Sequence, residues 1–266
     1  MKSKPNVLIL RTEGTNCDEE AFFAFQLAGG NPVYVHVNEL RNKSKKLSDF
    51  QILVLPGGFA YGDDVASGKI LAVELTSFFQ EELEKFVKRK NTLTIGICNG
   101  FQVLVRTGLL PFGFTQGKPF EMKTTLLHND SGHFECRWIR LKFDEKNTSP
   151  FLRGLGGKTV SYQVAHGEGK FYADEKTLKI IEEKNLVALR YIDEKGNSTQ
   201  TYPQNPNGAL HAIAGITDPT GRIFGLMPHP ERFVLREQHP NWRSMDIKVP
   251  HGLPIFQNAI SYVKKS

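Results

Sequence analysis

Thr94-Ile95-Gly96-Ile97-Cys98-Asn99-Gly100-Phe101-Gln102-Val103-Leu104 reads as an apolar strand, a tight turn and the start of a helix, with one cysteine at the apex. Gly-x-Cys-x-Gly is the thiol counterpart of the Gly-x-Ser-x-Gly elbow, in which small flanking residues let the chain turn sharply and lift a nucleophile clear of a sheet. A helix starting just after Cys98 would direct its free N–H groups at the sulfur and favour the thiolate. Taken alone, the same pentapeptide reads equally well as a buried cysteine beside two turn glycines.

Outward from the elbow, residues 6–10, 32–37, 51–55 and 93–97 form short apolar runs. Three of them, Val7-Leu8-Ile9-Leu10, Ile52-Leu53-Val54-Leu55 and Leu93-Thr94-Ile95-Gly96-Ile97, are near-continuous, as expected of parallel strands buried on both faces. Helical patterns separate them, over residues 18–28 before Gly29-Gly30 and over residues 70–90, where Leu71, Leu75, Phe78, Phe79, Leu83, Phe86 and Val87 mark an apolar face. The expected fold is therefore α/β: a single-domain, flavodoxin-like, open and mostly parallel sheet flanked by helices over residues 1–266. Past Gly108 the texture changes. Residues 111–119 are rich in Gly, Phe and Pro, and residues 122–128, 134–143 and 159–164 read as strands of an additional antiparallel or mixed portion. Further strands are expected at residues 186–192, 209–216 and 223–227, and an amphipathic helix at 253–265. No linker or internal repeat divides the chain.

The 266 residues are 39% hydrophobic, enough for a substantial core, and carry a formal net charge of +6. The basic residues are scattered in short clusters, which favours a solvated surface over a nucleic-acid footprint. The apolar run after Met1-Lys2-Ser3-Lys4-Pro5 is too short for a signal-peptide core or a membrane span, so a cytoplasmic protein is expected. Cys17, Cys98 and Cys136 show neither disulfide-framework nor zinc-site spacing. Cys17 reads as a capping or packing residue and Cys136 as core. His128 and His133 lie near Asp130 and Glu135 without metal-site spacing, so that segment reads as a solvated loop, and no metal is expected.

Two other segments converge with the elbow. Pro56-Gly57-Gly58-Phe59-Ala60-Tyr61-Gly62-Asp63-Asp64 follows the strand at residues 51–55, at the carboxyl edge where open α/β sheets bind ligands. Its bare backbone could approach an oxyanion, although a turn alone would also explain Gly57-Gly58. Met227-Pro228-His229-Pro230-Glu231-Arg232 follows the strand at residues 223–227, with prolines holding His229 out of regular structure and Glu231 on the same side of the chain. A thiol nucleophile needs a base, and the base gains from a carboxylate that orients it. Cys98, His229 and Glu231 can fill these roles, with an ion pair depressing the thiol pKa. The backbone N–H groups of Gly58 and Asn99 would meet the developing oxyanion.

With those residues in view, the chain resembles the class I, triad-type glutamine amidotransferases, and among them the glutaminase subunits of phosphoribosylformylglycinamidine synthase. The matching stretches are residues 56–64, Gly-Ile-Cys-Asn-Gly-Phe-Gln at 96–102, Ala-His-Gly-Glu-Gly-Lys-Phe at 165–171, Asn-Pro-Asn-Gly at 205–208 and residues 227–232. The resemblance implies hydrolysis of L-glutamine to glutamate and ammonia through a thioester on Cys98, with Gly57, Phe59, Gln102, Ala165, His166 and Gly167 as the substrate-binding set. The backbone of residues 165–167 would approach the substrate α-carboxylate. It also implies a large synthase subunit as partner, with a third small subunit in some assemblies. That synthase would use the ammonia, ATP and Mg to make formylglycinamidine ribonucleotide for purine biosynthesis. This chain has no Gly-x-x-x-x-Gly-Lys-[Ser/Thr] phosphate loop, and no cofactor is expected on it. The alternatives are a stand-alone γ-glutamyl hydrolase or other amidohydrolase on the same scaffold, and a non-catalytic binding module, which a missing triad member would mark. Residues 142–158 and 236–252 run longer than the family minimum and bear on the partner interface.

Overall fold

The computed structural model describes residues 4–113 and 121–265. Of the Gly/Phe/Pro-rich stretch at 111–119, residues 114–119 lie outside them. The strands are β1 (Asn6–Arg11), β2 (Asn31–His36), β3 (Ile52–Leu55), β4 (Leu93–Ile97), β5 (Thr124–Leu127), β6 (Glu135–Phe143), β7 (Thr159–His166), β8 (Lys170–Ala173), β9 (Val187–Tyr191), β10 (Ile213–Thr217) and β11 (Ile223–Leu226). The helices are α1 (Asp18–Leu27), α2 (Val37–Arg41), α3 (Lys69–Phe78), α4 (Gln80–Lys88), α5 (Asn99–Arg106), α6 (Glu175–Glu183) and α7 (Leu253–Lys265).

Nine strands form one sheet in the order β2-β1-β3-β4-β11-β10-β9-β6-β7, and β5 pairs with β8 apart from it. The first five are parallel, and β10, β9, β6 and β7 continue the sheet antiparallel. The apolar runs explain the difference: every residue of β3, β4 and β11 is buried, whereas β7 alternates between exposed or half-buried and buried positions. Leu55 pairs with Gly96, and Gly96 with Gly225, so the segments that follow β3, β4 and β11 emerge side by side at one edge. The opposite end of the sheet also reaches that edge. The backbone N–H of His229 donates to Gln163 O of β7 at 2.8 Å, which curls the antiparallel half over the ends of the parallel strands.

Around this sheet, α1 packs on α7 through a T-shaped Phe25–Phe256 pair with centroids 5.0 Å apart, while α5 lies against β3, β4 and β11. The approach of α5 is what the elbow glycines permit. A Cβ on Gly100 would stand 1.9 Å from Leu55 O, and one on Gly96 would stand 2.4 Å from Gly100 O.

Four expectations change. The helix expected over residues 70–90 breaks at Phe79 (φ −123°, ψ 13°) into α3 and α4. The two halves then present Leu71 and Leu75, and Leu83, Phe86 and Val87, to the core separately, with Phe79 buried at the junction. Phe78, at the end of α3, is 66% exposed and lies beneath the Arg41 guanidinium. Cys136 is exposed, because the core face of β6 is the odd one, carrying Ile139, Leu141 and Phe143. Glu135 rides on that core face at 1% exposure with its carboxylate 2.6 Å from Arg137, so it does not belong to a solvated loop. Residues 209–216 begin as a 3-10 turn with His211 at φ 52°, and the strand starts only at Ile213. The segment at 122–128 contributes β5 to the small two-stranded sheet, while β8 and α6 carried no sequence expectation.

Gly100→Ala should lower the thermal midpoint by at least about 4 °C, because the new methyl meets the Leu55 backbone and overpacking of this kind costs about 2 kcal/mol or more. Gly167→Ala, whose Cβ would find only Phe134 Cδ2 at 3.8 Å, is the near-neutral control in the same melting experiment.

Candidate active site

Cys98 sits between β4 and α5 at φ 52° and ψ −106°, a conformation that L-residues rarely adopt. It is held there from both sides: its N–H donates to Leu226 O of β11 at 2.8 Å, and its carbonyl accepts from Phe101 N and Gln102 N of the first helical turn. The thiol is 5% exposed and lies 3.5 Å from Ala165 O. Burial pushes the thiol pKa up, with the neighbouring Cys17 and Glu231 adding to the effect, and these outweigh the Asn99 amide and the more distant Arg232. Burial thus opposes the thiolate expected from sequence.

After β11, Pro228-His229-Pro230 leads into a 3-10 turn at Pro230–Arg232. The turn, rather than an extended segment, brings Glu231 back to His229. His229 Nδ1 and Glu231 Oε1 are 2.6 Å apart, with the side chains 1% and 0% exposed. A carboxylate only accepts, so Nδ1 carries the hydrogen and Nε2 presents its lone pair. Among the described residues that Nε2 has no hydrogen-bond partner. The base is thus oriented and uncommitted, while the thiol faces Ala165 O.

The glycine loop closes the site from the side of β3. Gly58 has φ +138°, and a Cβ there would stand 2.7 Å from Asn16 N. Gly57 is equally constrained, since its Cβ would stand 2.8 Å from His229 Cε1 and 3.1 Å from Cys17 Sγ. Asn99 ties the loop to the elbow: its Oδ1 accepts from Ala60 N at 3.2 Å, and its Nδ2 donates to Asp63 Oδ1 and Gln102 Oε1, each at 2.9 Å. Gln102 in turn donates to Glu168 O at 2.6 Å, joining α5 to the segment after β7. Phe59, 43% exposed, and Phe134, 48% exposed, face one another at 6.3 Å between centroids.

His166 is buried, and its neighbours fix its tautomer. Asn129 Nδ2 donates to the carbonyls of His133 and His166, so Asn129 Oδ1 is the acceptor for Gly169 N at 3.0 Å and for His166 Nδ1 at 3.1 Å. Asn207 Oδ1 accepts from Ala209 N, which leaves Asn207 Nδ2 to face Tyr191 OH and His166 Nε2. The imidazole is held neutral, its pKa pushed down to about 3 by burial first and the nearby His229 second. With the ring so committed, the backbone of residues 165–167 is what His166 offers to the space by Cys98.

Cys17 is a residue whose place the sequence did not disclose. It occupies the N-cap of α1 but makes no side-chain cap. It is buried against Gly57, with its sulfur 3.1 Å from Arg232 Nη2. Cys17, His229 and Glu231 each offer a ligand atom within 4.8 Å of the others, so among the described residues these could hold a metal ion. Only the tertiary fold, in which the segments after β1 and β11 both reach Gly57 after β3, reveals the proximity of residues 17 and 229. Asn129 and Asn207 were missed for a similar reason, as each works through contacts remote in sequence.

Three comparisons with known proteins agree with this architecture. Residues 4–263 match the CobB/CobQ-like glutamine amidotransferase domain. Phosphoribosylformylglycinamidine synthase subunit PurQ of Dehalococcoides mccartyi is 46% identical over 264 residues, covering 99% of each chain, and the subunit of that name from Methanococcus maripaludis strain S2 is 39% identical over 277 residues, covering 100% of each. A chain in the structure of PurLQS from Thermotoga maritima superposes with a TM-score of 0.72 at 30% identity, covering 98% of this chain and 99% of that one.

The raised thiol pKa gives a sign to test. Alkylation of Cys98 by iodoacetamide in the isolated chain should be slower at pH 7 than that of a free cysteine and should climb with pH beyond the ordinary thiol range. Labelling followed by peptide mass spectrometry measures it, and a rate already at its plateau below pH 7 would show a resting thiolate instead.

Proposed function

The chain belongs to the CobB/CobQ-like glutamine amidotransferase domain family, and from that premise we propose that it is the glutaminase subunit of a phosphoribosylformylglycinamidine synthase. It hydrolyses L-glutamine to glutamate and delivers the ammonia to a synthase subunit that converts formylglycinamide ribonucleotide to formylglycinamidine ribonucleotide in purine biosynthesis. The observation that supports this chemistry best is the convergence of the Cys98 elbow, the buried His229–Glu231 pair and the Gly57-Gly58 loop at one sheet edge. Full-length relatives named as subunits of that synthase support the assignment of substrate and partner.

In this reading the Cys98 thiol turns from Ala165 O, passes its proton to His229 Nε2 and attacks the γ-carboxamide carbon of glutamine. The oxyanion is met by the backbone N–H groups of Gly58 and Asn99. His229 returns the proton to the leaving nitrogen, ammonia departs and a γ-glutamyl thioester remains. Water, deprotonated by the same imidazole, then releases glutamate. Glu231 accepts from Nδ1 throughout and stabilises the transient imidazolium, so a thiol pushed up by burial ionises only as the reaction proceeds. Gly57, Phe59, Gln102 and residues 165–167 frame the glutamine. ATP and Mg2+ act on the synthase partner, a third small subunit completes some assemblies, and the complex works in the cytoplasm.

In the reconstituted complex, His229→Ala should lower glutaminase kcat by about 10²- to 10⁴-fold, with KM moving far less. Glu231→Gln should lose less, since its amide oxygen still accepts from Nδ1. Steady-state ammonia release checks both. Equal, complete loss would give Glu231 another role, and undiminished turnover by the isolated chain would favour a stand-alone hydrolase.

A further inference from the structure

Glutamine hydrolysis by Cys98 has no use for a second thiol, yet Cys17 is buried beside the catalytic pair, 2% exposed. Its sulfur and the His229 ring flank the same bare glycine, Gly57, whose missing Cβ would touch both. With Glu231 they offer one sulfur, one nitrogen and one oxygen ligand atom, all within 4.8 Å of one another and all from buried side chains. Glu231 Oε2 is buried without a hydrogen-bond partner among the described residues, and His229 would ligate through Nδ1, which already faces Glu231, because Nε2 lies on the far side of the ring from the carboxylate. Buried polar atoms left unpaired are costly, and a cation is one way to satisfy lone pairs that no donor reaches.

We propose that Cys17, His229 and Glu231 form a binding site for a thiophilic divalent cation of the Zn2+ class, and that its occupancy switches the glutaminase off. The donor set selects the ion. Thiolate and imidazole favour borderline-soft Zn2+ or Cd2+ over Mg2+ and Ca2+, which take oxygen ligands. Three protein ligands leave one position of a tetrahedral ion free for water. Binding forms the sulfur–metal bond and releases the Cys17 proton to solvent, with no change in oxidation state. Arg232, whose Nη2 is 3.1 Å from Cys17 Sγ, has a second acidic neighbour in Glu20, 3.6 Å from its Nε, so the guanidinium keeps a partner when the sulfur is metallated. A cation on His229 Nδ1 shifts the ring hydrogen to Nε2, so the imidazole can no longer accept the Cys98 proton, and it takes Glu231 from its orienting role. Binding itself stands on this geometry, whereas its effect on turnover rests on the role of His229 proposed above.

The experiment separates the two. In full-length Cys98→Ala/Cys136→Ala protein, Cys17 is the one thiol left of three. Titration with Cd2+ should raise an ultraviolet sulfur-to-metal charge-transfer band that saturates at one ion per chain and is competed away by Zn2+. Adding Glu231→Gln or His229→Ala should weaken the affinity by at least about tenfold. No band, or a band whose affinity neither substitution moves, overturns the site. In the reconstituted complex, Cys17→Ser should need at least about tenfold more Zn2+ than the parent for half-inhibition of its own glutaminase rate, and equal sensitivity overturns the proposal. A site that binds Cd2+ in the first assay while the parent complex resists Zn2+ would instead refute the assigned role of His229.

Discussion

The hydrogen bond between His229 Nδ1 and Glu231 Oε1, 2.6 Å long and closed to solvent, is the contact on which the rest of the site depends. A carboxylate at 0% exposure must be held by strong partners to be tolerated at all. Its partner here is an imidazole whose own backbone is fixed by Pro228, Pro230 and the bond to Gln163 O of β7. The side-chain contact sets a tautomer and aims Nε2, while the backbone bond of the same residue fastens the edge strand β7 over the parallel strands. Gly57 allows it, because any larger residue would push the ring aside.

The elbow supplies the other half. A cysteine at φ 52° persists only because β3, β11 and α5 over-determine the turn around it. The resulting thiol is buried, and that burial pushes its pKa up. Its activation is left to an imidazole that is oriented but not yet engaged. An arrangement of this kind suits a subunit whose product is useful only when a partner is ready to consume it.

Much of this was legible in the sequence because the decisive chemistry is local. Gly96, Cys98 and Gly100 announce the turn by spacing alone, and Pro228-His229-Pro230-Glu231 fixes its own backbone. The near-continuous apolar runs identified the parallel strands for the same reason, since burial on both faces leaves no alternation. Features that depend on pairing between distant segments stayed hidden. Phe79 breaks a helix with neither Gly nor Pro at the break to announce it. Glu135 takes a core position and Cys136 a solvent one because Ile139, Leu141 and Phe143 set the odd face of β6 inward, with Arg137 beside the buried carboxylate. The thiol pKa was expected to fall from helix and ion-pair arguments, yet burial dominates it. Cys17 beside His229 is a consequence of strand order, which no spacing along the chain encodes.

The central claim is that Cys98 carries the γ-glutamyl group. Acid-quenching the reconstituted complex during steady-state turnover of isotopically labelled glutamine, then mapping the label by peptide mass spectrometry, tests it most directly. The account predicts a hydroxylamine-labile γ-glutamyl adduct on the peptide containing Cys98, abolished by Cys98→Ser and accumulating to a different level when His229 is replaced. Turnover with no adduct on that peptide, or an adduct on Cys17, would contradict it.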